Sequence, residues 1–146
     1  MPDISANAKK YLIFLLQGAR YALDLAQVAE ITDLEPLWPI PLAPAYYRGA
    51  MNFHGDIFAV IDLAQFMALP GHSQPEKIVV VHHRSVALAF LVGTILRISP
   101  EDEVQVRPPS GALLADSTLS LVDGEVTLLD LEALVYEAEI ALQKNN

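Results

Sequence analysis

The sequence predicts an all-β (mainly β) fold of two small β-barrels, followed by a C-terminal α-helix. Glycine and proline separate short apolar runs, a pattern typical of short strands joined by tight turns. The one long helical spacing of apolar residues lies near the C-terminus. A turn glycine, an apolar strand and an Asp-Leu pair occur in this order twice, in residues 55–63 and 124–131. Two such closing elements favour two small barrels over one sheet.

The N-terminal part of the chain predicts a hairpin and a short third strand. We expect the polar residues 1–8 to form a disordered tail. Residues 11–16 are apolar, and residues 21–25 alternate large apolar side chains with smaller or polar ones, so we expect a pair of strands here. One helical turn is expected over residues 26–30, before a strand near residues 30–32.

A connector rich in proline follows at residues 34–44. Proline cannot donate to a strand ladder and restricts the residue before it, so this segment is not expected to be a regular strand. We expect it to be ordered, because Leu37, Trp38, Ile40 and Leu42 give it apolar surface to bury.

Residues 49–63 predict a strand, a tight turn, a second strand and the start of a helix. Residues 50–54 alternate, as in a half-buried strand, and His54-Gly55-Asp56 supplies the turn. Residues 57–61 are apolar throughout, which predicts a strand covered on both faces. Asp62 is the predicted N-cap of this helix, and Asp130 is the predicted N-cap of the C-terminal helix in the repeated element.

The second half of the chain predicts further strands and the closing helix. A strand at residues 86–92 is expected to extend to residue 98 past a kink at Gly93. The other expected elements are a strand at residues 78–81, a loop at residues 107–111, a hairpin around Asp123-Gly124, and a helix whose apolar face comprises Leu131, Leu134, Val135, Ala138 and Leu142.

Composition and motifs argue against several classes of protein. The net charge of -9 opposes nucleic-acid binding, which needs clustered basic residues. The longest apolar run, residues 86–96, is too short for a membrane-spanning helix, so we expect no membrane insertion and a soluble, cytoplasmic protein. His82-His83 is interpreted as a polar strand end rather than a metal site. Without a nucleophile or cofactor motif, we expect neither an enzyme nor a bound cofactor.

The stretch at residues 49–63, GAMNFHGDIFAVIDL, resembles the signature of the CheW-like domain of bacterial chemosensory adaptors. That signature usually reads G-x-x-N-x-R-G-x-x-x-P-V-x-D-L, and the matching positions are Gly49, Asn52, Gly55, Val60, Asp62 and Leu63. Earlier in the chain, residues 28–31 resemble the V-x-E-I element of the family and residues 40–44 its I-P-x-x-P segment. His54 stands where the family usually has Arg, Ala59 where it often has Pro, and Gly93 where it usually has Asp.

The resemblance implies two five-stranded SH3/OB-like barrels packed together in a single domain at residues 9–143. It also implies a non-catalytic scaffold that couples the cytoplasmic tip of chemoreceptors to the regulatory domain of a CheA-type histidine kinase, in the two-component signalling of chemotaxis. The candidate receptor-facing residues are, by the same resemblance, Val28, Glu30, Ile31, Gly49, Asn52 and His54.

The roles implied for these residues leave alternatives open. Val28 and Ile31 supply apolar contact or belong to the core, Gly49 allows close backbone approach, and Glu30 and His54 orient the partner. The segment PAYYRG and the missing Arg also resemble adaptors of type IV pilus or other alternative chemosensory systems. A barrel that binds a small ligand is the remaining alternative.

Overall fold

The computed structural model describes residues 8–109 and 114–144. Nearly all of the expected N-terminal tail, and part of the expected loop at residues 107–111, lie outside the described residues. The strands are β1 (Lys10–Leu16), β2 (Ala19–Asp24), β3 (Val28–Asp33), β4 (Tyr47–Phe53), β5 (Asp56–Asp62), β6 (Lys77–Val81), β7 (Leu88–Val92), β8 (Ile95–Pro100), β9 (Gln105–Arg107), β10 (Ala115–Leu121) and β11 (Gly124–Leu129). The α-helices are α1 (Leu63–Phe66) and α2 (Leu131–Lys144).

The strands form two sheets, which divide the chain into two units. Unit 1 contains the sheet β8-β1-β2-β11-β10-β9 and helix α2; unit 2 contains the sheet β3-β6-β7-β5-β4 and helix α1. The expected fold of two β units with a C-terminal helix is confirmed. The sheet of unit 1 has one strand more than expected, because the three-residue strand β9 pairs with β10.

The two sheets repeat one arrangement. In each, the second strand of a hairpin pairs in parallel with the strand that precedes the capping Asp: β2 with β11 in unit 1, and β7 with β5 in unit 2. The turn, strand and Asp element seen twice in the sequence is thus one element of each unit. Because its hairpin comes from the N-terminus, unit 1 is built from both ends of the chain.

Three apolar cores are formed by the alternation of side chains along the strands. On β1, Leu12, Phe14 and Leu16 face a central core, which also receives residues of β7 and α2, whereas Tyr11 and Ile13 face a core within unit 1. On β7, Phe90 faces the central core and its neighbours face a core within unit 2. Strands buried on both faces read as continuous apolar runs, which explains the composition of β7.

Gly93 lies where the chain crosses from unit 2 to unit 1. The expectation of one strand kinked at Gly93 is wrong, since β7 ends at Val92 and β8 joins the other sheet. The Gly93 N–H donates to the Leu15 carbonyl at 2.9 Å, and a Cβ at this position would lie 2.6 Å from that oxygen. The close approach of two backbones therefore requires glycine here.

The β4–β5 hairpin extends beyond the sheet that supports it. Ile57 is exposed, so the expectation of a strand covered on both faces fails at its first residue. The reason is that β7 pairs with β5 from Ala59 onward, and Ile57 faces the exposed Asn52 near the turn.

Both predicted helix caps are confirmed. The Asp62 carboxylate accepts from the Gln65 N–H and the Asp130 carboxylate from the Ala133 N–H, each at 3.1 Å. The predicted buried face of α2 is correct except at Leu142, which is exposed near the end of the helix. Neither of the helices described here is long and apolar enough to cross a membrane.

Candidate protein-binding site

Strand β3 is an outer strand of unit 2 and carries three of the candidate residues. Val28 and Ile31 are half-buried and pack against the central core, whereas Glu30 is exposed. The register with β6 shifts between Val28 and Glu30, which leaves Ala29 as the extra residue of a bulge. This shift lets Val28 and Ile31, three positions apart, pack on the same core. Both are therefore partly core and partly surface.

The candidate residues Asn52 and His54 belong to the turn of the β4–β5 hairpin. His54 has φ +51° and Gly55 has φ +88°, as in the two-residue turns that suit the twist of hairpins. The Asn52 amide oxygen accepts from the Gly55 N–H at 3.2 Å. The His54 ring packs edge-on against Phe53, with centroids 4.3 Å apart. Asn52 thus holds the turn that presents the exposed His54 side chain.

Gly49 is buried against the proline-rich connector of its own chain. Its φ is +147°, and a Cβ there would lie 2.7 Å both from Leu37 Cβ and from the Trp38 carbonyl oxygen. Trp38 and Ala50 form a bridge of two backbone hydrogen bonds, at 2.9 and 2.7 Å, that fixes the connector along β4. The close backbone approach expected at Gly49 occurs within the chain.

The candidate residues form two groups on different strands. Val28, Glu30 and Ile31 lie on β3, whereas Gly49, Asn52 and His54 lie on β4 or its turn, and the two strands occupy the two ends of the strand order in unit 2. Glu30 and His54 form no ion pair within the residues that the structure describes. The structure therefore brings the residues of each group together, but it does not pair Glu30 with His54.

The connector exposes apolar side chains that the sequence interpretation placed in the interior. Leu37 and Ile40 pack against the protein as expected. Trp38 and Leu42 are instead exposed, at 61% and 95% of their surface. The reason is the bridge to Ala50: adjacent residues of an extended segment point to opposite sides, so burying Leu37 turns Trp38 outward.

A further apolar surface, which the sequence interpretation missed, lies on the outer strand β8 of unit 1. Leu96 and Ile98 are both exposed. Ile98 pairs with Leu12, whose side chain faces the central core, so the exposed Ile98 lies on the same face of the sheet. The signal in the sequence is the alternation of Leu96 and Ile98 with Arg97 and Ser99.

An open groove of about 740 Å³ in unit 1 is lined by both charged and apolar residues. At one side Arg97 donates to both carboxylate oxygens of Asp123, at 3.0 and 2.8 Å, and Arg20 lies 3.2 Å from the same carboxylate. The hydrogen bonds from Arg97 lower the pKa of Asp123 to about 2. A carboxyl group that acts as a general acid at neutral pH needs a raised pKa, whereas the pKa of Asp123 is lowered.

The histidine pair of the β6–β7 turn has a contact of its own. His83 Nε2 lies 3.1 Å from each carboxylate oxygen of Glu132. Across residues 8–109 and 114–144, no group of three or more His, Cys, Asp or Glu side chains is arranged to hold a metal ion.

The family model described as the CheW-like domain matches residues 10–139. The chain belongs to this family. It is 29% identical to a chemotaxis protein CheW from Klebsiella aerogenes, over 94% of this chain and 87% of the relative. It is 26% identical to a probable chemotaxis protein CheW from Rhizobium etli, over 94% of each chain. The recognition from residues 49–63 is thereby confirmed, and the family is one of chemotaxis scaffold and adaptor proteins.

The fold is likewise that of a solved CheW-like structure. The crystal structure of the scaffolding protein TtCheW from Thermoanaerobacter tengcongensis superimposes with a TM-score of 0.74, at 22% identity, over 85% of each chain. This likeness agrees with the two packed β units and the C-terminal helix described above.

Proposed function

We propose that the protein is a non-catalytic adaptor of a chemosensory pathway, which acts in the cytoplasm and couples a chemoreceptor tip to the regulatory domain of a CheA-type histidine kinase. The observation that carries this proposal is the match to the CheW-like domain over residues 10–139, on a fold of two packed β units. A scaffold of this kind needs two separate surfaces, one for each partner.

The proposed receptor surface is centred on β3. Val28 and Ile31 offer apolar contact at the margin of the central core, where part of each side chain remains accessible. A receptor tip is a helical hairpin, and such helices bind by laying an apolar stripe against an apolar surface. The exposed Glu30 would fix the orientation of the helix by pairing with a basic group.

The remaining candidates receive different roles in this proposal. His54 is exposed at the tip of the β4–β5 turn and is the residue of this hairpin that we expect to contact the receptor. Asn52 and Gly49 have supporting roles. Asn52 stabilises the turn that carries His54, and Gly49 allows the proline-rich connector to pack against β4.

For the kinase we propose the outer strand of unit 1. Leu96 and Ile98 lie on β8, outside the strands proposed for the receptor. An outer strand with exposed apolar side chains suits packing against another β domain. The two partners would then occupy different units and could bind together.

Titration calorimetry with a receptor tip fragment and a kinase regulatory domain, both encoded near this protein, tests the proposal. We expect the parent to bind both, Val28→Asp to weaken receptor binding, and Ile98→Asp to weaken kinase binding. Val122→Asp is the matched control, because Val122 is fully exposed in the β10–β11 turn. Failure of the parent to bind either partner would remove the adaptor function. Binding to a receptor of a type IV pilus pathway instead would assign the protein to that system.

A further inference from the structure

Two hairpin turns reach across from one unit to the other. Gln17, in the β1–β2 turn of unit 1, contacts Ser73 in the segment that follows α1 of unit 2. His83, in the β6–β7 turn of unit 2, contacts Glu132 in the first turn of α2. The β1–β2 and β6–β7 hairpins occupy equivalent places in the two sheets. The two turns are therefore related by the internal repeat of the fold, whereas their partners, a loop after α1 and the first turn of α2, occupy different places.

The contact of Gln17 satisfies both backbone groups of one residue. Its amide nitrogen donates to the Ser73 carbonyl at 3.1 Å, and its amide oxygen accepts from the Ser73 N–H at 2.8 Å. A Cβ on Gly71 would collide with the same amide oxygen, so the loop has the shape needed to admit this side chain. The Gln17 side chain thus bonds both backbone groups of Ser73, as the backbone of a neighbouring strand would.

The contact of His83 uses both ring nitrogens. Nδ1 accepts from the Ser85 N–H at 3.1 Å, so in the neutral ring the proton lies on Nε2, which faces both oxygens of Glu132 at 3.1 Å. The His83 side chain is 7% exposed, whereas that of Glu132 is 70% exposed. The histidine is held in place by its own turn, and the carboxylate reaches it from the solvent side.

We propose that these two contacts are reciprocal latches that fix the angle between the two units. The central core that joins the units is apolar, and the hydrophobic effect that drives its burial is non-directional. Hydrogen bonds depend on both distance and angle, so contacts at the two turns would select one orientation. Because each unit contributes one latch, release of one leaves the other in place.

A further side-chain contact between the units, from β4 to α2, is weaker. The Tyr47 hydroxyl of unit 2 donates to the Ala138 carbonyl at 3.4 Å, a distance at which a hydrogen bond contributes little. Burial raises the pKa of Tyr47 to about 12, so the hydroxyl remains a donor in neutral solution. Leu15 also forms backbone hydrogen bonds with Gly93 and Thr94, at the point where the chain crosses between the units. The two turns are therefore the side-chain contacts to test.

The latches would matter to the adaptor because its two proposed surfaces lie on different units. That consequence rests on the proposed function, whereas the latches do not. A distance measured between the units, with no partner present, tests the latches alone.

The chain contains no cysteine, so two introduced cysteines can be spin-labelled without labelling any native residue. Val122→Cys in unit 1 and Asp56→Cys in unit 2 are exposed sites for pulsed electron resonance distances. We expect one narrow distance distribution in the parent and in Gln17→Ala or Glu132→Ala alone, and a broadened or shifted one in the double variant. Glu137→Ala, also exposed on α2, is the control and should match the parent. A folded double variant with the distribution of the parent overturns the proposal.

Amide hydrogen exchange gives an independent measurement, which also serves if the double variant does not fold. We expect about tenfold faster exchange at the Ser73 amide in Gln17→Ala, because that amide loses its acceptor. The Leu15 and Gly93 amides, which bond between the units, should exchange faster in the double variant alone. Unchanged exchange at Ser73 in Gln17→Ala would show that the Gln17 contact does not hold the loop.

Discussion

Arg97 on β8 and Asp123 in the β10–β11 turn form a two-pronged ion pair, with nitrogen to oxygen distances of 3.0 and 2.8 Å. Arg20 on β2 reaches the same turn, donating to the Asp123 carbonyl at 3.1 Å. Asp123 therefore ties the outer strand β8 of unit 1 to β2 near its centre, and these two strands are not neighbours in the sheet.

This ion pair predicts an acid-dependent loss of stability. The pKa of Asp123 is lowered to about 2 in the folded protein, against about 3.9 when unfolded. A lowered folded pKa contributes stability that is present above about pH 4 and is lost as the pH falls toward 2. In urea titrations, the free energy difference between the parent and Asp123→Asn should shrink over that range. A difference independent of pH would contradict the ion pair.

The contact of Gly49 with the connector predicts a large cost for a single methyl group. Gly49→Ala should destabilise by roughly 2–4 kcal/mol, because the new Cβ is strained by its positive φ and also collides with the Trp38 carbonyl. Gly18→Ala is the matched control, since Gly18 also has a positive φ but nothing within 4 Å of its Cβ position. It should cost about 1 kcal/mol. Equal losses in chemical denaturation would mean that the connector does not pack as described.

The turn at His54 predicts which side chains this position accepts. Asn tolerates the left-handed backbone that His54 adopts, whereas a β-branched residue does not. His54→Asn should leave the free energy of unfolding unchanged, and His54→Val should lower it by about 1–2 kcal/mol. His54→Arg, which restores the residue usual in the family, should fold and should preserve or tighten receptor binding. A stable His54→Val variant would show that the turn has another conformation.

The cap at Asp130 predicts a test of charge against hydrogen bonding. Asp130→Ala should cost about 1 kcal/mol, because the Ala133 N–H loses its acceptor, and Asp130→Asn should cost little. Asp62 is less suitable for this comparison, since its carboxylate also lies 3.8 Å from Arg48. Thermal unfolding of the two Asp130 variants decides the matter: if Asn is as damaging as Ala, the charge has a further role.

Local signals in the sequence predicted local structure well. The caps at Asp62 and Asp130, the turns at Gly55 and Gly124, and the buried strand β6 depend on residues close together in the chain, and each is found in the structure. The repeated turn, strand and Asp element favoured two β units, and the family signature implied that they pack together, because no short-range pattern specifies which strands share a sheet.

Properties that depend on distant residues were not predicted. Gly93 looks like a kink in one strand, because the Leu15 backbone that it meets lies far away in the sequence. The same holds for Gly49, whose neighbour Trp38 comes from the connector, and for the exposure of Ile98 at the edge of a sheet. The separation of Glu30 from His54 in the strand order likewise follows from sheet topology alone.

The most direct test of the adaptor function is whether the protein holds both partners at once. Size-exclusion chromatography with light scattering should be run on the parent mixed with the receptor tip fragment and the kinase regulatory domain. We predict a complex containing all three chains, which Val28→Asp reduces to the kinase pair and Ile98→Asp reduces to the receptor pair. Mutually exclusive binding of the two partners to the parent would contradict the scaffold with two surfaces.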